Sequence, residues 1–131
     1  MPVKVSKAYA FNRTRLSYLA TELEVANTHW TRFRGLMARE SNTFGDGRGL
    51  WIVPCHGVHT MGMRFPIDVL YLDRENVVVH LEQSLAPCRF APVRRKAKSV
   101  LELPTATVST TRTEVGDKVE IELAGRAHTA D

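Results

Sequence analysis

Residues 67–73 and 77–85 constrain the fold more than any other part of the chain. Both segments are rich in β-branched and large apolar residues, and the run Asp73-Arg74-Glu75-Asn76 joins them. Two such runs separated by turn-forming residues predict a β-hairpin. Asn76 is suited to the left-handed position that a tight turn needs. The centre of this protein is therefore expected to be a sheet.

Side chains alternate between the two faces of a strand, which divides the first half of this hairpin. One face carries Ile67, Val69 and Tyr71, and the other carries Asp68, Leu70 and Leu72. Since both faces are largely apolar, the strand is predicted to be covered on both sides. Asp68 then lies on a face fit for burial, where an ionised carboxylate is very costly without hydrogen-bond donors.

Other short apolar runs separated by turn residues predict further strands. They lie within residues 3–23 on either side of a polar turn at 12–15, and at 50–53, 58–63, 98–103, around Val108 and at 118–123. Trp30, Phe33 and Met37 recur at helical spacing. The prediction is a mainly β, single-domain antiparallel sandwich or barrel with one short helix near residues 28–38. The domain is expected to span residues 1–124, with a frayed tail at 125–131.

Composition is that of one ordinary globular domain: 131 residues, 44% hydrophobic and 24% charged. The net charge of +4 permits weak attraction to nucleic acid or to anionic lipid. Its one tight cationic run, Arg94, Arg95, Lys96 and Lys98, is interpreted as a solvated loop. Nucleic-acid binding is not expected, because aromatic residues are not interleaved with basic ones. With neither an apolar export core nor a membrane-spanning run, the predicted location is cytoplasmic, unless a leader was removed.

The stretch of residues 55–73 contains more chemically able side chains than any other segment. Asp68 has two interpretations, a structural carboxylate bracing the turn at Pro66 or an anchor for a ligand. Arg64, Arg34 and nearby backbone amides are its candidate partners. An arginine-rich pocket beside a buried carboxylate favours a small polar or anionic ligand. The predicted ligand-binding residues are Asp68, Arg64, Arg34, His59 and Thr60.

Two enzymatic alternatives remain open, although no catalytic residue or cofactor is assigned. His59 with two nearby methionines suits a soft metal such as Cu(I), but alternate residues on one strand commonly supply packing, and the usual zinc spacings are missing. Cys55 or Cys88 with a histidine would make a thiolate–imidazolium pair, although the spacing matches no nucleophile signature. The two cysteines are either free thiols or one disulfide.

Four sequence blocks in order resemble the domain of unknown function 192 family of small bacterial and archaeal proteins. The blocks are residues 34–37 with Arg39, 66–73, 100–104, and 116–117 with Val119. The resemblance covers about residues 27–121 and implies a compact, mostly β domain without an established activity. Many members carry Trp-Met-Lys/Arg-Asn-Thr before the Pro-Leu-Asp motif, whereas His59, Thr60, Met61, Gly62 and Met63 stand here. The shared Pro66, Asp68, Arg34 and Gly35 are then the best site candidates.

The sequence thus predicts a small β-rich domain that binds a small polar or anionic ligand near Pro66 and Asp68. A metal-dependent or cysteine-based hydrolase and a protein-interaction module are the alternatives. The ligand, the oligomeric state and any partner are not determined by the sequence.

Overall fold

The computed structural model describes residues 8–28, 39, 41–57, 59–60 and 63–123. Within them the chain forms eight strands and two short helical segments. In chain order these are β1 (Tyr9–Asn12), β2 (Ser17–Ala20), β3 (Glu22–Ala26), a 3₁₀ turn (Ser41–Thr43), β4 (Arg48–Ile52), β5 (Ile67–Leu72), β6 (Val78–Leu85), β7 (Ser99–Pro104), α1 (Thr107–Thr111) and β8 (Val119–Glu122).

The strands form two sheets. A three-stranded antiparallel sheet has the order β2-β1-β8, and a five-stranded sheet has the order β3-β4-β7-β5-β6. All pairs in the larger sheet are antiparallel except β3 and β4, which run parallel. This parallel pair is possible because residues 27–47 separate the two strands, whereas a tight turn would have required antiparallel pairing.

Two interior strands of the larger sheet, β5 and β7, are buried along their whole length. One face of the sheet packs in a cluster that contains Val69, Tyr71, Val100, Phe44 and Phe65. The opposite face contributes to a second cluster with buried residues of the smaller sheet and of α1, which are Ala10, Leu19, Ala20, Val119 and Val108. The burial of β5 on both sides confirms the prediction made from its two apolar faces.

The prediction of a small, mainly β, single-domain protein is confirmed, and the described strands do not close into a barrel. The hairpin of β5 and β6 forms as expected, and Asn76 adopts a φ of 60° in its turn. Residues 29–38 of the predicted helix and the whole predicted tail at 125–131 lie outside the described residues. At the predicted strand of residues 58–63, His59 forms an isolated bridge with Phe90.

The strand predicted around Val108 is wrong, because residues 107–111 form the helix α1. The prediction followed the β preference of valine and threonine. Local hydrogen bonds override that preference here. Thr107 Oγ1 donates to the carbonyl of Pro104 at 2.7 Å, and Thr111 Oγ1 donates to the carbonyl of Thr107 at 2.7 Å. A third contact comes from outside the segment, through Asp68.

Candidate functional site

Asp68 lies in β5 with no exposed surface, and both of its carboxylate oxygens accept main-chain hydrogen bonds. The amide of Ser84 donates to Oδ1 at 2.8 Å, and the amide of Val108 donates to Oδ2 at 2.8 Å. Among the described residues no ion pair joins Asp68 to an arginine. The carboxylate therefore fixes an irregularity in β6, where Ser84 has a φ of 51°, and the first turn of α1.

The turn that Asp68 holds lines a cleft of about 280 Å³ between the two sheets' loops. Ser84 Oγ and Thr105 Oγ1 share a hydrogen bond, which ties the same turn to β6. Three parts of the chain line the cleft: β2 with the residue after it, the turn before β4, and the threonine-rich segment around α1. The lining residues are Tyr18, Leu19, Ala20, Thr21, Asp46, Gly47, Thr105, Ala106, Thr107, Thr110 and Thr111. We call this the threonine cleft.

Hydroxyl groups and one carboxylate dominate the chemistry of the threonine cleft. Five threonines and a tyrosine line it, and Asp46 is the single charged side chain among the described residues at its wall. Thr107, Thr110 and Thr111 each donate a hydrogen bond to a nearby main-chain carbonyl. Because a hydroxyl that donates still has acceptor lone pairs, these groups can accept hydrogen bonds from a bound molecule.

The remaining predicted site residues lie in other surroundings. Thr60 is fully buried, and its Oγ1 donates to the carbonyl of Ala86 at 2.6 Å and accepts from the amide of Arg89 at 2.8 Å. His59 lies beside the ring of Phe90, with the ring centroids 6.3 Å apart. Both residues thus contact the segment that follows β6. Arg64 is exposed, and Arg34 lies outside the described residues.

The cysteines and histidines of the reactive stretch make local contacts with the main chain. The thiol of Cys55 donates to the carbonyl of Gly57 at 2.9 Å, and Nδ1 of His56 lies 2.6 Å from the carbonyl oxygen of Ala97. Cys55 and Cys88 are free thiols in this structure. Across the described part of the chain, no group of three or more His, Cys, Asp or Glu side chains could hold a metal ion.

A buried glutamate, Glu102, is not among the site residues predicted from the sequence. It lies in β7 with 2% of its surface exposed, and its Oε1 has no hydrogen-bond partner. Burial raises its pKa to about 8, and the positive charge of Arg39 opposes this increase. Arg39 itself forms two hydrogen bonds to Glu24 across their side chains, at 2.6 and 3.1 Å. Glu102 is therefore predominantly protonated at neutral pH.

The sequence contained signals for both missed features. Glu102 interrupts an apolar run in residues 100–104, and a lone carboxylate in a fully apolar strand indicates a perturbed group. The run of threonines at 105–111 resembled a strand, but its density of hydroxyl groups was an equally strong sign of a polar surface. Neither signal indicates which other elements contact these residues, because the contacts join segments that are far apart in the sequence.

The fold and the cleft define a small, mainly β, single-domain protein with a polar cleft between β2, the turn before β4 and the segment around α1. Residues 11–121 match the family described as "Uncharacterized ACR", which is the domain of unknown function 192 family. The chain belongs to this family. The resemblance noted in the sequence is thereby confirmed. No helix among the described residues has the length and apolar character needed to cross a membrane.

Two archaeal relatives and two solved bacterial structures are similar to this chain. The UPF0127 protein of Pyrococcus furiosus is 32% identical over 83% of this chain and 94% of its own, and that of Thermococcus sibiricus is 28% identical over 86% and 73%. A Novosphingobium aromaticivorans protein of unknown function has a TM-score of 0.72 over 86% of this chain and 82% of its own. A Sinorhizobium meliloti protein described as a "putative transcription regulator" has a TM-score of 0.73 over 92% and 98%. Both structures are 20% identical and share the fold.

Proposed function

We propose that this protein binds a small polar molecule in the threonine cleft, and that Asp68 is a positioning residue for the cleft. The supporting observation is the pair of hydrogen bonds that joins Asp68 to the amides of Ser84 and Val108. A fully buried carboxylate with both oxygens occupied is poorly placed to contact a ligand itself. It instead holds the turn on which Thr105 and Thr107 are carried.

The chemistry of the wall favours a neutral or cationic ligand over an anionic one. Hydroxyl oxygens and the exposed carboxylate of Asp46 accept hydrogen bonds, and no cationic side chain is among the described residues that line the cleft. Methyl groups of threonine and alanine supply small apolar contacts between the acceptors. A molecule with several hydroxyl groups, or with an ammonium group directed at Asp46, fits this pattern.

The enzymatic alternatives lack a comparable supporting contact. A metal-dependent hydrolase needs several ligating side chains at one centre, and a cysteine nucleophile needs a base within hydrogen-bond reach. The thiol of Cys55 and the imidazole of His56 each contact a main-chain carbonyl, of Gly57 and Ala97 respectively. A binding function therefore accounts for more of the observed geometry than a catalytic one.

Titration of isotopically labelled protein, monitored by two-dimensional NMR of the amides, tests this proposal. The panel contains neutral sugars and polyols, small primary amines, and phosphate and citrate as the anionic arm. A neutral or amine compound is expected to shift amides of residues 105–111 and of Asp46 and Gly47. Thr110→Val removes one hydroxyl from the wall at nearly constant shape, so it should weaken binding roughly threefold to tenfold.

Ser109→Ala is the matched control, since Ser109 is exposed on the same helix but is not part of the cleft wall. It should leave the affinity unchanged. Asp68→Asn should weaken binding together with stability, because it disturbs the turn that carries the wall. A panel without amide shifts in the cleft, or equal losses for Thr110→Val and Ser109→Ala, would show that the cleft is not the binding site.

A further inference from the structure

Residues 86–98, here called the basic loop, concentrate the positive charge of this protein. The segment contains Arg89, Arg94, Arg95, Lys96 and Lys98 and no acidic residue, whereas the remainder of the chain has 13 basic and 14 acidic residues. All five cations are exposed. None of them takes part in the ion pairs formed among the described residues. The basic loop therefore presents uncompensated charge to the solvent.

Two large apolar side chains protrude between these cations. Phe90 has 76% of its surface exposed and Val93 has 73% exposed. Single exposed apolar residues are common, but two of them three positions apart on a cationic loop form a mixed surface. Segments that insert into the interface of an anionic bilayer typically combine exposed apolar side chains with surrounding Lys and Arg residues.

Hydrogen bonds and buried alanines hold the backbone of the basic loop against the rest of the fold. The main chain of Thr60 accepts from the amide of Cys88 at 2.9 Å and donates to the carbonyl of Arg89 at 2.7 Å. Tyr71 donates its hydroxyl proton to the carbonyl of Pro92 at 2.6 Å, and Ala91 and Ala97 are buried. With the backbone fixed on both sides of Phe90 and Val93, these side chains are pre-organised for contact with a partner.

A hollow beside the exposed tips adds a second feature. Val79, Val93, Arg94, Arg95 and Lys96 line a volume of about 340 Å³. Three cations and two aliphatic side chains at one concave surface match a molecule that is anionic at one end and apolar at the other. A phospholipid with its headgroup at the cations and the start of its acyl chain at the valines has this chemistry.

We propose that the basic loop docks this protein on an anionic phospholipid surface, with Phe90 and Val93 inserted among the headgroups. Nucleic acid is the other polyanion to consider. Phe90 is the only aromatic residue in residues 86–98, so the loop lacks a series of rings on which successive bases could stack. The aliphatic Val93 and the valine-lined hollow have no role in binding a phosphate backbone. The observations therefore favour lipid.

Co-sedimentation of the full chain with vesicles tests the docking. The protein is expected to bind equimolar phosphatidylglycerol–phosphatidylcholine vesicles, and to bind pure phosphatidylcholine vesicles much more weakly. Raising the salt concentration should weaken the binding, because exposed charges are screened. Arg94→Gln with Arg95→Gln should lower the partition coefficient by roughly 25-fold, at about fivefold for each cation lost near the surface.

Matched controls separate the loop from the general charge of the protein. Arg74→Gln with Arg112→Gln removes two exposed cations from other turns and should change binding by less than about threefold, since the charges lie outside the docking surface. Phe90→Trp reports insertion directly. Its fluorescence should shift to the blue on anionic vesicles, whereas that of Leu16→Trp, at another residue with 76% exposure, should not.

Several results would overturn the proposal, and the first three concern the vesicle assays. They are absence of binding to anionic vesicles, equal losses for the two arginine pairs, and a Phe90→Trp spectrum that vesicles leave unchanged. A single-stranded or duplex DNA that binds at lower concentration than the vesicles, with Phe90→Ser and Val93→Ser neutral in that assay, would assign the basic loop to nucleic acid. Complete displacement from vesicles by millimolar inorganic phosphate at constant ionic strength would reduce the surface to a free-anion site.

Discussion

Replacing Glu102 with glutamine tests the electrostatics of the larger sheet. Glu102 is paired across the sheet with Leu50 on one side and Val69 on the other, so apolar strands enclose it. Burial raises the pKa of its carboxyl from 4.5 to about 8, against the opposing charge of Arg39. The folded protein therefore keeps a proton that the unfolded chain releases between these two pH values. Glutamine has nearly the same shape and is neutral at every pH.

The size of the effect follows from the pKa values. Below pH 4.5 the carboxyl is protonated in both states, and Glu102 then adds no pH dependence. Above it, the free energy of unfolding falls by about 1.4 kcal/mol for each pH unit until the folded pKa of about 8 is reached. Between pH 5 and pH 7 this amounts to a loss of about 2–3 kcal/mol for the wild type. Glu102→Gln does not have this loss, so its stability relative to wild type should rise by the same amount.

Urea denaturation at pH 5, 6 and 7, followed by circular dichroism, measures this difference. Subtracting the wild-type curve from the Glu102→Gln curve removes the titration of all other groups. The matched control is Glu75→Gln, in the exposed turn before β6, for which the difference should stay flat across the same range. A flat difference for Glu102→Gln, or one that falls with pH, would refute the reasoning. It would mean that Glu102 is ionised in the folded protein and stabilised by the charge of Arg39.

Four further substitutions test other parts of the structure. Asp68→Asn replaces one acceptor by a donor that faces a main-chain amide. It should lower the free energy of unfolding, measured by urea denaturation, by about 2–4 kcal/mol. An unchanged stability would contradict the two hydrogen bonds. Asn12→Ala should cost about 2 kcal/mol. Burial opposes the ionisation of Asp117, but bonds from Asn12 and other donors outweigh it, so its pKa lies below 3.8. The stability that the ionised Asp117 gives the fold is present above pH 3.8 and is lost as the pH falls through the folded pKa. Asp117→Asn should therefore flatten the acid limb of a pH–stability curve. An unchanged limb would exclude this role. Gly49→Ala places a Cβ 2.7 Å from that of Ala20. Thermal unfolding should therefore show a free energy of unfolding lower by about 1–3 kcal/mol. Full stability would mean that the sheets move apart freely.

The secondary structure was predictable wherever a local pattern decides it. The hairpin of β5 and β6, the turn at Asn76 and the hairpin of β1 and β2 all follow the alternation and turn residues read from the sequence. The same alternation correctly predicted that β5 is covered on both faces. It failed at Val108, where a helix forms because local threonine hydrogen bonds, with one further bond to Asp68, outweigh the strand preference of valine and threonine.

The candidate site was predictable only in part. The sequence singled out Asp68 and identified backbone amides among its possible partners, and the structure shows such amides at both oxygens. It did not predict the threonine cleft, because Asp46 and Thr110 belong to segments more than 60 residues apart. Thr60 was assigned to a pocket, whereas its hydrogen bonds place it under the segment that includes Arg89. The proposed ligand contacts stay a prediction.

The sequence by itself determined that this chain forms a mainly β domain of its family, with an apolar central strand that carries one carboxylate. The tertiary structure decided what that carboxylate does, since its donors Ser84 and Val108 lie 16 and 40 residues away along the chain. It also decided that Glu102 is buried and that Phe90 is exposed. The physical reason is range: periodicity records which side chains share a face, whereas burial and hydrogen bonding depend on which distant segments are packed against that face.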